Sequence, residues 1–361
     1  MPRLRAYWSL PVRAQTRSWS ASSSPACMAS RWPTTSPRAA SRFVSVLPAD
    51  TKVWKQVRHR QRLKTDEKDA ATIADLVAQG QYVAFPFLDP RYAELRHLVS
   101  ARERLSMLRT AALSRLRAEL QTVFPEFEKV FKALDKPSAA AVLRAFPGPD
   151  EVLAAPRQKV MHVLRKASRG HLGEEVYERL RAGAEESVAL PGTRAGLKRE
   201  VHLLQDQIAM YNRQMKELQD GMAEVMLQIP EATCLMSIPG VAPVSAAVFL
   251  GSLGDVHAYR SSRQVLKLAG LSLVQDSSGI RHRYDRLSKS GRPLLRRLAF
   301  MLGLRAVRSD GLYWREYQAM LLRNGGRKMP ATVAMGRKML CLMFAIARER
   351  RTFTPVSLQA G

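Results

Sequence analysis

The sequence feature that most constrains the fold is a heptad pattern of apolar residues between positions 197 and 229. Their spacing alternates between four and three residues without a slip over more than four heptads. Such a pattern predicts a long helix whose apolar seam packs against another helix. The partner is either the helix predicted over residues 90–124 or a second copy of the chain, and we expect a homo-oligomer through this coiled coil. The seam consists of Leu197, Val201, Leu204, Ile208, Tyr211, Met215, Leu218, Met222, Val225 and Ile229.

The remaining segments predict a mainly α protein with a partial α/β portion near the N-terminus. Residues 43–47 form an apolar run that Pro48 interrupts, which predicts a buried strand. A basic stretch follows, and then a helix over 65–79 that Thr65 can cap. Small helices separated by prolines are predicted over 138–190. The expected divisions are an anomalous segment 1–42, an α/β remnant 43–90, a helical and coiled-coil region 91–229, a helical C-terminal domain 230–350 and a tail 351–361.

Residues 1–42 differ from the rest of the chain in composition. They contain seven Arg but no Lys, Asp or Glu, and the first acidic residue of the chain is Asp50. No helical or strand period persists in them. A disordered basic arm is one interpretation. The interpretation that we favour is GC-rich coding DNA read in the wrong frame, so we expect a truncated or frame-shifted N-terminus.

Charge and composition limit the classes of function. The chain has 58 Lys and Arg against 31 Asp and Glu, a formal net charge of +27. A folded chain tolerates such self-repulsion best when a polyanion neutralises it, so nucleic-acid binding is favoured over a merely basic protein. Cys27, Cys234 and Cys341 are too far apart in sequence for a zinc or disulfide framework. Without an apolar run of about 18 residues no membrane partner is expected, and the predicted location is the cytoplasm.

Two carboxylates lie at the start of the helix predicted over 65–79. Asp66 and Asp69 are three residues apart and share one side of its first turn, next to an apolar stripe. Carboxylates beside a buried stripe are costly unless a cation lies between them, and Mg²⁺ or Mn²⁺ is the natural partner. From spacing alone, an ordinary acidic helix start fits better than a metal site. The predicted stripe consists of Ala70, Ile73, Ala74 and Val77.

Residues 237–247 combine a turn with a helix of small residues. The turn contains Pro239 and Gly240, and Pro243 opens the helix that follows. A tight glycine turn before a helix start presents backbone N–H groups that suit a phosphate oxygen. The pattern predicts a helix-hairpin-helix that holds the DNA backbone near Gly240, against the alternative of a plain helical turn.

A dense basic cluster follows Ser277, Ser278 and Gly279. Arginine binds phosphate bidentately and stabilises charge that develops at phosphorus, and a serine among such cations can attack a phosphodiester. Spacing alone favours a basic loop that holds nucleic acid without chemistry. The predicted nucleic-acid-binding residues are Arg281, Arg283, Arg286, Lys289, Arg292, Arg296 and Arg297.

In their order along the chain, these motifs resemble the DEDD insertion-sequence transposases of the insertion-sequence one-ten family, relatives of the Piv-type DNA invertases. The resemblance covers roughly residues 43–350. The motifs that carry it are Lys-Thr-Asp-x-x-Asp-Ala at 64–70, the coiled-coil insert, Ile-Pro-Gly-x-x-Pro-x-Ser-Ala-Ala at 238–247, Ala-Gly-Leu at 269–271, Ser-Gly at 278–279 and Ser-Lys-x-Gly at 288–291.

The resemblance implies an RNase-H-like N-terminal domain whose Asp-Glu-Asp-Asp tetrad holds Mg²⁺ or Mn²⁺. Asp66 and Asp69 match its last two carboxylates, whereas the first Asp and the Glu have no counterpart, since no acidic residue occurs in the first 49 positions. It also implies a serine nucleophile, for which Ser278 is the best match ahead of Ser277 and Ser288. A structured guide RNA becomes an implied partner beside element-end and target DNA.

The expected fold is therefore an incomplete RNase-H-like domain, a coiled-coil insert and a helical C-terminal transposase domain with a helix-hairpin-helix. The expected function is DNA binding with metal-dependent strand cleavage and recombination by a serine nucleophile, in a chain whose own catalysis is impaired. The alternative is a non-catalytic, nucleic-acid-binding coiled-coil protein.

Overall fold

A computed structural model shows two compact units, with the boundary between residues 87 and 88. The anomalous segment 1–42 lies outside the described residues. The structure describes residues 44–46, 48–59, 66–84, 89–189, 194–274, 277–278, 281–282 and 286–354.

The first unit has a two-stranded antiparallel pair and two helices among its described residues. Strand β1 (Val44–Ser45) pairs with β2 (Val83–Ala84). Helix α1 (Pro48–His59) packs against α2 (Asp66–Ala78). The predicted strand and the predicted helix are both present, and the first part of the basic stretch is helical. The RNase-H-like architecture stays a prediction.

The buried face of α2 differs from the stripe that the sequence predicted. Thr72 and Leu76 are the buried residues, whereas Ile73 is 45% exposed and Ala70 and Ala74 are exposed as well. The stripe prediction was wrong because small apolar residues occur on more than one side of this 13-residue helix. The packing of α1 determines which side is buried, and that contact is not encoded in the spacing.

Among its described residues, the second unit consists of helices and short paired strands. Proline opens many of its helices, where the missing N–H costs nothing and the fixed φ suits the first turn. Its helices are α3 (Pro90–Val123), α4 (Phe127–Val130), α5 (Pro137–Ala145), α6 (Pro149–Ala154), α7 (Arg157–Ser168), α8 (Glu174–Glu185), α9 (Arg194–Leu227), α10 (Pro230–Met236), α11 (Pro243–Leu253), a 3-10 turn (Val256–Ala258), α12 (Ser262–Leu268), α13 (Pro293–Ala306), α14 (Trp314–Arg323) and α15 (Lys328–Glu349). Its strands are β3 (Leu273–Val274), β4 (Ser277–Ser278), β5 (Arg281–His282) and β6 (Arg286–Leu287).

The predicted heptad helix is α9, and it packs along α3 of the same chain. The two helices are antiparallel. Near the start of α3 the Arg91 guanidinium donates to the Gln228 carbonyl beyond the end of α9 (2.7 Å), and further along the Arg109 guanidinium donates to the Asn212 side chain (2.6 Å). The seam residues of α9 are buried or half-buried. The intramolecular alternative is thus present, and assembly between copies stays a prediction.

Two large hydrophobic cores lie at opposite ends of the helix pair. The helical lobe, residues 112–208, surrounds one core, and the C-terminal core gathers α10–α13 and α15 around the other ends of α3 and α9. A small third cluster joins α14 to α15. Between them, residues 100–111 and 209–221 form a two-helix stalk whose side chains are all half-buried or exposed. At 1.5 Å per residue, the stalk segment of α3 is about 18 Å long.

Helix α15 is long and apolar enough to cross a membrane by length and composition alone, and half of its most apolar window is buried inside the protein. It packs against α13 at a close crossing of two glycines. A Cβ atom at Gly336 would lie 2.3 Å from the Ala299 carbonyl oxygen, and one at Gly303 would lie 2.5 Å from that of Thr332. Helix α15 is therefore the central helix of the C-terminal core.

Candidate nucleic-acid interface and acidic pair

The described residues of the segment 273–287 form two pairs of short strands, a β-ribbon, where the sequence predicted a basic loop. Strand β3 pairs with β6, and β4 pairs with β5 so that Ser278 lies opposite Arg281 in the ladder. The strands have two residues each, which is too short for a strand period to be visible in the sequence. Arg283 lies outside the described residues.

The base of the ribbon is a tightly packed backbone turn. Lys289 has φ 52° and Gly291 has φ 154°, and a Cβ at Gly291 would lie 2.4 Å from the Leu268 carbonyl oxygen. The Lys289 N–H donates to the Gly270 carbonyl (3.0 Å), and the Arg292 N–H donates to that of Leu268 (2.7 Å). The Ser-Lys-x-Gly motif thus fixes the ribbon to the end of α12, which requires glycine at position 291.

Arg292 belongs to the predicted phosphate-binding set, but its side chain has a partner inside the protein. It donates to the Ser252 carbonyl, and Arg96 of α3 donates to the Gly251 carbonyl beside it (2.8 Å). Burial lowers the pKa of both guanidinium groups, that of Arg96 to about 10 with further repulsion from Arg292. The two charges face the carbonyl end of α11, which attracts cations. Arg292 therefore holds α11 and α13 together.

Arg296 and Arg297 also have partners within the chain. Arg296 Nη1 donates to the Lys289 carbonyl (2.9 Å), and Arg297 forms an ion pair with Glu103 of α3. These contacts place α13 against the base of the ribbon at Lys289 and against α3 at Glu103. Of the predicted set, Arg286 and Lys289 have exposed side chains on or beside the ribbon. Phosphate binding by these residues stays a prediction.

Gly240 lies in the short turn between α10 and α11, as the sequence predicted. Its φ is 84°, a conformation that favours glycine, and the turn is closed by the Val241 N–H donating to the Ile238 carbonyl (3.0 Å). The Gly240 carbonyl accepts from the Arg305 guanidinium of α13 (2.9 Å). The two helices and their turn are present, and the helix-hairpin-helix assignment stays a prediction.

Asp66 and Asp69 lie on the first turn of α2. Asp66 is exposed, whereas Asp69 is 46% exposed and forms an ion pair with Lys55 of α1. Asp69 is on the same side of the helix as Thr72 and therefore faces α1. Lys55 is a site neighbour that sequence reasoning missed, because a lysine 14 residues away carries no spacing signal.

The acidic pair fits a divalent cation only in part. Hard cations take several oxygen ligands, and Mg²⁺ demands near-octahedral geometry. Among the described residues there is no group of three or more His, Cys, Asp or Glu that could hold a metal ion. One of the two carboxylates is already neutralised by Lys55. The described residues therefore supply fewer ligands than such an ion takes.

Comparison with known proteins gives two separate matches, one that contains the ribbon and one that contains the acidic pair. A family model described as the transposase of the IS116/IS110/IS902 family matches residues 232–319, which include the ribbon. A second model, named for the DEDD transposases of IS110 and described as a transposase, matches residues 32–125, which include the acidic pair.

Several curated proteins are similar to this chain. An uncharacterized protein of insertion element IS110 from Streptomyces coelicolor is 27% identical over 304 residues, 82% of this chain and 74% of that protein. An uncharacterized protein of insertion element IS900 from Mycobacterium paratuberculosis is 26% identical over 307 residues, 84% and 76% of the two chains. The pilin gene-inverting protein of Moraxella bovis is 28% identical over 125 residues, 34% and 38% of the two chains.

These matches define the class as transposases of insertion sequences. Within that class, the chain belongs to the IS110/IS116 family.

Proposed function

We propose that this chain binds the ends of an insertion sequence and its target DNA, and that Ser278 is the nucleophile for strand cleavage. The observation that carries the proposal is the β-ribbon. It places Ser278 opposite Arg281, where a run of seven Lys or Arg within residues 281–297 begins. Cations around a serine favour its alkoxide and neutralise the charge that develops at phosphorus.

In the proposed step, the Ser278 oxygen forms a bond to the phosphorus of a phosphodiester while the bond from phosphorus to one sugar oxygen breaks. The hydroxyl proton passes to solvent, and the departing sugar oxygen takes up a proton to become a hydroxyl group. The product is a covalent protein–DNA phosphodiester. Because the step conserves the number of phosphodiester bonds, reversal onto another strand rejoins DNA without an external energy source.

We propose further that cleavage by this chain is impaired. A bound Mg²⁺ or Mn²⁺ neutralises charge at the scissile phosphate. Asp66 and Asp69 are the proposed ligands, but Lys55 neutralises Asp69. Lys55 therefore competes with the ion at this pair, and two carboxylates without further ligands bind the ion weakly.

The experiment is a cleavage assay on a supercoiled plasmid that carries the element ends, in Mg²⁺, with covalent adducts resolved on a denaturing gel. We expect DNA binding with only trace adduct, and loss of that trace in Ser278→Ala. The matched controls Ser277→Ala and Ser288→Ala are expected to keep it. If the adduct survives Ser278→Ala but disappears in one of the controls, the serine that this control replaces is the nucleophile instead.

The proposed impairment is tested with a chimera. Residues 1–87 are replaced by the corresponding domain of the Streptomyces coelicolor relative, and adduct formation is expected to rise. Equal adduct from the unaltered chain would show that the described carboxylates suffice. If neither protein forms an adduct, the result supports the second candidate function, a non-catalytic nucleic-acid-binding protein. The intramolecular partners of Arg292, Arg296 and Arg297 favour this second function.

Two further partners are proposed. A structured guide RNA is one, on the family resemblance and the net charge of +27. A second copy of the chain is the other. The stalk has apolar side chains on its outer face, with Met107 63% exposed and Leu108 50% exposed. Light scattering of the purified protein, with Met107→Glu as the disrupting variant, tests the homo-oligomer.

A further inference from the structure

Charge is separated by sign within the helical lobe. Residues 156–173, which include α7, contain five Lys or Arg and two His but no Asp or Glu. The next helix, α8, contains four Glu and two Arg. Charged residues that serve only solubility are best interspersed in sign. The separation therefore indicates that the α7 side of the lobe faces an anionic partner.

The cations of α7 lie on one exposed face of the helix. At 3.6 residues per turn, Lys159, Arg165 and Lys166 fall within an arc of about 120°. All three are exposed, and His162 is exposed between them. The opposite side anchors the helix in the core of the lobe through Val160, Met161 and Leu164.

Ion pairs within the described residues do not explain why these cations are gathered on one face of α7. The ion pairs recorded among the described residues include only one that involves α7, between Arg157 and Glu174. Arg165 and Lys166 lie in the last turn, where the helix dipole favours cations. Lys159 lies in the first turn, which has no acidic residue and no side-chain cap, so the dipole disfavours it there. An external polyanion would offset that cost.

We infer that this basic face of α7 binds the phosphate backbone of double-stranded DNA. Double-stranded DNA fits because its phosphates recur every ~3.4 Å along each strand, while Lys159 and Lys166 are about 10.5 Å apart along the helix. The surface belongs to the helical lobe, which the stalk separates from the C-terminal core. It is thus a DNA contact additional to the ribbon. The inference rests on the proposed function only in naming DNA as the polymer.

The test compares the salt dependence of DNA binding by the full chain with that of a triple variant, Lys159→Gln, Arg165→Gln and Lys166→Gln. The probe is a fluorescent duplex of about 30 bp with no element sequence, titrated without divalent metal at salt concentrations from roughly 50 to 200 mM. Each lost phosphate contact reduces the slope of log K against log salt by ~0.9. We expect a slope shallower by about 2.7, so that raising the salt weakens the variant by ~40-fold less than the parent chain.

A matched control removes the same charge from exposed positions of α9, with Arg199→Gln, Arg213→Gln and Lys216→Gln. It is expected to keep the parental slope, and circular dichroism checks that both variants are folded. An unchanged slope in the α7 variant, or an equal change in the control, overturns the inference. A fall in affinity for an RNA duplex without a fall for DNA also overturns it. Because the assay measures binding without cleavage, its failure leaves the Ser278 proposal intact, and failure of adduct formation leaves this inference intact.

Discussion

Substitution of Gly336 by alanine tests the crossing on which the C-terminal core is built. The added Cβ would lie 2.3 Å from the Ala299 carbonyl oxygen, whereas ordinary contacts begin at 3.4 Å, so α13 and α15 must separate by about the 1.1 Å difference. The opposing atoms are backbone, which cannot rotate away. A gap of that size forfeits a quarter to a half of the dispersion energy of the contacts it opens.

The expected magnitude follows from two opposing effects. Overpacking of this kind costs about 1–3 kcal/mol, and the backbone obstacle places this site near the upper end. Replacement of glycine by alanine inside a helix returns about 1 kcal/mol. We therefore expect Gly336→Ala to lower the free energy of unfolding by about 2 kcal/mol.

The matched control is Gly221→Ala in α9, where the nearest atom to the new Cβ is a Leu98 methyl group at 3.7 Å. Without a clash, only the helix propensity acts, and we expect stabilisation of up to about 1 kcal/mol. Urea unfolding followed by circular dichroism at 222 nm measures both variants. If Gly336→Ala is as stable as the parent chain, or if both variants shift in the same direction, the argument from the crossing is wrong.

Three other predictions concern ionisable groups. Arg350→Met removes the ion-pair partner of Glu231, whose side chain is 2% exposed. Because the carboxylate stays buried without that partner, the free energy of unfolding measured in urea should fall by about 3 kcal/mol. Lys55→Gln releases Asp69 and should tighten Mn²⁺ binding in calorimetric titration, while unchanged affinity would show that Lys55 does not compete. Burial raises the pKa of Tyr92 to about 12. The unfolded state therefore loses this proton at lower pH than the folded state, so stability falls between about pH 10 and 12, and Tyr92→Phe should flatten that fall.

Much of the architecture could be predicted from local patterns. The heptad seam predicted α9, the helix predicted over residues 90–124 is α3, and prolines marked the small helices of the lobe. The acidic residues at the start of α2 and the glycine turn at 240 were also placed correctly on their elements. These features depend on neighbours a few residues apart, which is the range over which helix capping, turns and periodicity act.

The candidate sites could be predicted only as sets of residues. Arg292, Arg296 and Arg297 carry no local signal of an internal role, yet the fold gives them partners on α11, the ribbon base and α3. The ribbon itself was missed because each of its strands has two residues. It depends on pairing between strands and on the close approach of Gly291 to α12, neither of which leaves a period in the sequence.

The sequence by itself determined the family, the helical character, the positive charge and the residues available for chemistry. The tertiary structure decided which helix covers the heptad seam, which face of α2 is buried, that Lys55 pairs with Asp69, and which arginines are tied to backbone carbonyls. The physical reason is that propensity and periodicity act within a few residues. Ion pairs, helix crossings and burial depend on groups that are distant in the chain and adjacent only after folding.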